Sequence, residues 1–213
     1  MAQSNLDLAA LLCSKLCHDL LSPVGAINNG LELLEDETDP EMRDRCLDLL
    51  YDSARVSADK LKYFRLAFGA AGGFGEEVDP NEAKQLIQSL VGDDGKITLG
   101  WAVQSPTLPK KAIKILLNLA LIAKEALVRG GQLDVGAEQG DTGIEVVIRA
   151  AGQKVVLDEG IRSALEGSIA EDDLTARTAA AWMSRELSVE KGGDLRISPA
   201  SDSELLLGAI VNG

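Results

Sequence analysis

Residues 5–36 read NLDLAALLCSKLCHDLLSPVGAINNGLELLED, and residues 40–69 read PEMRDRCLDLLYDSARVSADKLKYFRLAFG. In the first stretch Leu8, Leu12, Leu16, Leu20, Val24, Ile27, Leu31 and Leu34 recur every three or four residues, the spacing of one helix face. In the second, Met42, Cys46, Leu49, Leu50, Ala54, Leu61, Phe64 and Phe68 do the same. Between them, Glu35-Asp36-Glu37-Thr38-Asp39-Pro40 breaks the pattern; Asp39 can cap the second helix with Pro40 at its first position. The expected product is an antiparallel hairpin with arms of about 45 Å at 1.5 Å per residue. Two helices cannot close a core, so each stripe needs another surface. Two hairpins meeting about a two-fold axis would make a four-helix bundle, and a homodimer is expected.

Beyond the hairpin the texture changes. Gly69-Ala70-Ala71-Gly72-Gly73-Phe74-Gly75 reads as a linker. Helices are expected over 81–91, 108–129 and 173–190. Strands are expected over 97–103, 133–137, 144–150, 155–157, 195–197 and 205–210. The fold class is therefore α+β. A hairpin domain over 1–70 is followed by an α/β domain over 77–213, with helices covering one sheet face.

Composition narrows the function. The chain has 213 residues, 46% of them hydrophobic but only 3% aromatic, so the core is built from Leu, Ala, Ile and Val. A formal charge of −13 argues against nucleic acid and anionic membranes as partners. No basic-then-apolar signal opens the chain, and no stretch reaches the ~18 to 20 apolar residues that a membrane span needs; a cytoplasmic protein is expected. Three cysteines, an odd number, suit a reducing compartment. Cys13 and Cys17 are four apart, but a structural zinc site wants four ligands and only Cys46 remains; no metal is expected.

The chain holds one histidine, His18, in Leu16-Cys17-His18-Asp19-Leu20-Leu21-Ser22-Pro23. Imidazole titrates near pH 7, where its neutral form is a nucleophile. On a helix the neighbours of position 18 are Ser14, Lys15, Leu21, Ser22 and Gly25. These are mostly small, so a partner can approach closely, and all five are candidate docking residues. Pro23 has no N–H, so the carbonyl of Asp19 loses its helical partner. His18 is the candidate nucleophile. Asp19 is the candidate group that holds the second ring nitrogen, stabilises the cation formed on attack, or accepts a proton.

His18-Asp19-Leu20-x-x-Pro23 resembles the H-box of sensor histidine kinases, which lies on the first helix of a dimerisation hairpin. Leu116-Leu117-Asn118-Leu119 with Ala123 resembles their N-box helix, and Lys191-Gly192-Gly193-Asp194-Leu195 a turn of their ATP-binding domain. The nucleotide determinants are missing. Ile122 stands where kinases keep a magnesium-binding asparagine. Ala150-Ala151-Gly152 replaces Asp-x-Gly-x-Gly. Asp173-Leu174-Thr175-Ala176-Arg177-Thr178 replaces a glycine loop that would cradle phosphates. A kinase-like body with an intact H-box and no ATP site is similar to ChpT-type histidine phosphotransferases, dimeric relays of bacterial cell-cycle signalling. This resemblance implies a phosphoryl group moving between receiver aspartates through His18, without ATP. It also implies a response-regulator receiver and a hybrid-kinase receiver as partners. No cofactor is expected on this chain, with magnesium supplied by the receiver. One departure is Leu21, where kinases often carry Arg or Lys. An ATP-dependent kinase with divergent motifs and a non-catalytic dimeric adaptor stay open as alternatives.

Overall fold

The computed structural model describes residues 2–69, 77–92 and 95–212. Helix α1 (Ala2–Asp36) and helix α2 (Pro40–Phe68) form the hairpin. Asp39 caps α2, its Oδ1 accepting from the Glu41 N–H at 2.9 Å, and Pro40 opens the helix. Arg43 closes the corner, donating to the carbonyls of Leu34 and Glu37 at 3.1 and 2.7 Å. Gly30 lets the arms meet: a Cβ there would lie 2.9 Å from Leu50 Cδ2. Leu50 therefore serves the hairpin itself. Val24, Leu31, Leu49 and Leu61 stay 42% exposed or more. Residues 70–75 of the expected linker lie outside the described residues.

The α+β class holds. A five-stranded sheet runs in the order β2 (Ile97–Val103), β4 (Gly131–Gln139), β5 (Ile144–Ala151), β7 (Glu204–Val211), β6 (Asp194–Ile197). Only β2 and β4 are parallel. The strands alternate: Leu133, Val135, Val146, Ile148, Ala150, Leu205 and Leu207 are buried against helices, while Val147 and Leu206 face outward. Helices α3 (Pro80–Val91), α4 (Lys110–Ala126), α5 (Glu159–Glu166) and α6 (Ala179–Val189) complete the second half. The central one, α4, buries Ile113, Ile115, Leu116, Leu117 and Leu119 completely.

Several boundaries differ from expectation. Leu108–Pro109 forms a two-residue strand, β3, against β1 (Glu77–Val78), because proline caps α4 without continuing it. That helix stops at Ala126, before the expected 129. Residues 155–157 are not a strand; Val155 and Val156 donate to the carbonyls of Asp202 and Ala126 at 2.7 and 2.9 Å, one to each side. The expected 173–190 helix begins only at Ala179, after Thr175 and Thr178 close a turn through each other's hydroxyls and backbone. Helix α5 was not expected; Asp158 caps it and Gly167 ends it in the left-handed region at φ 74°.

One sequence expectation is corrected. Averaged over a window, Asn5–Asp36 is long and apolar enough, by length and composition alone, to cross a membrane. Its interruptions there are few, so the hydropathy average survives them. In the fold this helix packs along α2 and touches α6.

Tyr63 and Asn118 tether the hairpin to the α/β half. Tyr63 of α2 is 1% exposed and donates its hydroxyl to the Leu117 carbonyl. Burial first, and Glu125 second, push its phenol well above the ordinary tyrosine range. Asn118, fully buried, donates from Nδ2 to the carbonyls of Lys114 at 2.7 Å and Ala67 at 3.3 Å.

Candidate functional site

Helix α1 runs through Pro23 without a break. The Asp19 carbonyl, deprived of its i+4 N–H, is taken by a different donor: Lys60 Nζ of α2 reaches it at 2.8 Å. A cation from the opposite arm thus completes the backbone hydrogen bonding one residue from His18. The lysine is the stronger donor, since a charged group makes a shorter, stronger hydrogen bond than a neutral amide.

His18 is 83% exposed at its side chain. Its Nδ1 lies 3.3 Å from Asp19 Oδ1. With Nδ1–H as the donor, Nε2 carries the free lone pair and faces outward. Asp19 is 23% exposed and uses both oxygens: Oδ1 toward His18, Oδ2 toward Lys15 Nζ at 3.3 Å. Lys15 in turn lies 3.6 Å from Glu125 Oε1 at the end of α4. The result is a line of alternating charge from the α/β half to the imidazole.

The expected docking residues divide. Ser14, Leu21 and Ser22 are exposed around His18, Leu21 by 70%. Gly25 is half-buried, and nothing stands within 4 Å of where its Cβ would be. Lys15 departs from expectation. Its side chain is only 11% exposed and turns toward α4, because the ion pairs with Asp19 and Glu125 draw it beneath the surface. Lys60 and Glu125 were not found from sequence. The absent N–H of Pro23 signals that some donor is needed, but nothing in the order of residues says which.

Positions matching the nucleotide motifs are turned to structural use. Asn118 spends its amide on Ala67 and Lys114, and its Oδ1 is buried without a partner. Ile122 is 5% exposed within the core and Ala150 is fully buried. The Thr175–Thr178 turn is closed by hydroxyl hydrogen bonds, and Arg177 pairs with Asp158 at 3.3 Å. Side chains therefore occupy the backbone amides and space that a glycine loop would leave to phosphates. A cavity of about 740 Å³ opens elsewhere, among Lys110, Lys111, Gln139, Glu190 and Lys191. Cys13 and Cys17 are exposed thiols and Cys46 is buried.

A family model for the histidine phosphotransferase C-terminal domain matches residues 80–203. The protein phosphotransferase ChpT of Brucella abortus (strain 2308) is 36% identical over 199 residues, covering 93% of each chain. A bacterial phosphotransferase solved at 1.7 Å is similar at TM-score 0.82 and 34% identity, over 96% of both chains. The histidine kinase AdeS of Acinetobacter baumannii is 15% identical, at TM-score 0.46, over 92% of this chain and 98% of that one.

Proposed function

The chain belongs to the ChpT-type histidine phosphotransferases, and on that premise we propose that it relays a phosphoryl group between receiver aspartates through His18, without ATP. The observation that carries the reading is the histidine itself: 83% exposed, its Nδ1 directed to Asp19 and its Nε2 to solvent.

In the forward step the Nε2 lone pair attacks the phosphorus of a receiver's aspartyl phosphate. The P–O bond breaks and its electron pair stays on the receiver's carboxylate. Asp19 accepts from Nδ1–H and offsets the positive charge that forms on the ring. In the second step another receiver's aspartate attacks the phosphohistidine, and the P–N electron pair returns to Nε2. No net proton is consumed. Magnesium, if held in the receiver's acidic pocket, would neutralise the phosphoryl oxygens.

Receivers dock on Ser14, Leu21, Ser22 and Gly25, with Lys15 acting from beneath. The upstream donor is the receiver of a hybrid kinase and the acceptor that of a response regulator. The working unit is a homodimer in the cytoplasm, joined through the hairpins of residues 5–69. Its support is the row of half-exposed Val24, Leu31, Leu49 and Leu61, which water would otherwise wet at about 25 cal/mol per Å². The independence from ATP is supported by Ile122, Ala150 and the closed 175–178 turn.

The test is a relay reconstituted from a phosphorylated donor receiver, this protein and a second receiver, with magnesium and no nucleotide. Phosphate is expected on the second receiver only when this protein is present. Transfer that continues with His18→Ala, or that requires ATP, overturns the reading.

A further inference from the structure

The α/β half reaches within two side chains of His18. Glu125 stands in the last turn of α4. The carbonyl end of that helix carries partial negative charge, which adds to the attraction of Glu125 for a cation. That cation is Lys15, 11% exposed and bound on both sides, 3.6 Å from Glu125 and 3.3 Å from Asp19. The Tyr63 and Asn118 tethers fix α4 against α2, and Lys60 of α2 fixes the backbone of Asp19. Glu125 is therefore anchored relative to the H-box.

We propose that Glu125 is a positioning residue for phosphotransfer: by sharing Lys15 with Asp19, it keeps Asp19 free to accept from His18 Nδ1–H, and so sets the nucleophilicity of Nε2. This rests on the relay reading for its purpose but not for its test. With Glu125 present, the ammonium of Lys15 is divided between two carboxylates. Without it, Lys15 settles wholly on Asp19 and draws its charge away from the imidazole. The hydrogen bond to Nδ1–H weakens, and the lone pair on Nε2 becomes less available. Among the described residues, Lys60 is seen on the backbone carbonyl of Asp19 and Lys15 on its carboxylate, so Lys15 is the cation that competes with His18 there.

The uniqueness of His18 supplies a readout that no receiver is needed for. Diethyl pyrocarbonate acylates neutral imidazole, and the absorbance rise at about 240 nm reports histidine alone. Its rate would be measured on the full chain for wild type, Glu125→Gln, Lys15→Met and the double variant, with His18→Ala as the blank. Glu125→Gln is expected to slow acylation by about two- to fivefold, the size of a partly screened ion-pair effect. In the Lys15→Met background the same change is expected to do nothing. Equal rates for wild type and Glu125→Gln overturn the proposal. So does faster acylation, or an equal slowing in both backgrounds, which would mean that Glu125 does not act through Lys15. A fold defect would show as a lowered Tm; Glu125→Ala, which removes the same charge, then takes the place of Glu125→Gln in both backgrounds. A wild type that acylates normally but accepts no phosphate from any receiver sinks the relay reading and leaves the measured Glu125 effect standing.

Discussion

Replacing Lys60 with Met removes the donor that serves the Asp19 carbonyl while keeping most of the apolar stem in place. The bond is 2.8 Å long, charge-assisted and half-buried. Pro23 guarantees that no backbone N–H can substitute for it. An unsatisfied buried acceptor costs about 1–3 kcal/mol, and partial access to water places this one in the lower half, about 1–2 kcal/mol. For a chain of this size that is ~2–8 °C in Tm. Thermal unfolding should be run at one fixed protomer concentration, because association shifts Tm. A second background makes the reasoning specific. Pro23→Ala restores an N–H to the Asp19 carbonyl, so Lys60→Met should cost less there, and the two changes should couple by more than ~0.5 kcal/mol. An unchanged Tm in the first case, or the same cost in both backgrounds, would refute the idea that Lys60 stands in for the missing amide.

Further outcomes follow from the same geometry. Asp19→Asn should slow phosphoryl acceptance by about 10²–10⁴-fold, a larger effect than the stability lost with its Lys15 ion pair, as single-turnover transfer beside a thermal melt would reveal; equal rates would remove Asp19 from the chemistry. Leu31→Asp, at a position 51% exposed in the single chain, should convert the proposed dimer of twice 22.5 kDa into monomer on sedimentation, since an unpaired charge resists burial; a wild type that sediments as monomer would contradict the dimer itself. Tyr63, whose folded pKa is raised by burial, contributes stability that is complete below the unfolded value near 10. That contribution is lost as pH rises through the folded value. Tyr63→Phe should therefore flatten the fall of unfolding free energy above about pH 10 by one proton's worth, and an unaltered slope would contradict its burial.

The hairpin was legible because its two stripes are long, and errors of a residue or two do not change which face is apolar. The strands of the sheet were legible through alternation, as in Leu133, Val135 and Ala137. Short elements were not. Helix α5 has only Ile161, Ala164 and Leu165 to mark it, and its caps, Asp158 and Gly167, were the one signal that could have shown it. Val155 and Val156 are β-branched and apolar, yet their amides are drawn to two different segments, which no local pattern encodes. At the site, His18 and Asp19 could be read from adjacency and helical spacing. Lys60 and Glu125 could not, being 41 and 106 residues from Asp19; their approach depends on the handedness of the hairpin and on how α4 packs beneath it. The inward turn of Lys15 was missed for the same reason. Helical geometry places it near His18, but only the tertiary partner decides which way a long side chain leans.

The central claim is that His18 carries the phosphoryl group. The most direct measurement is to incubate the protein with a phosphorylated receiver domain and magnesium, without nucleotide, and to map the label by mass spectrometry and by its lability in mild acid. Acid-labile phosphate on the His18 peptide, absent in His18→Ala, is the predicted result. Label on any other residue, or label that persists in His18→Ala, would contradict it.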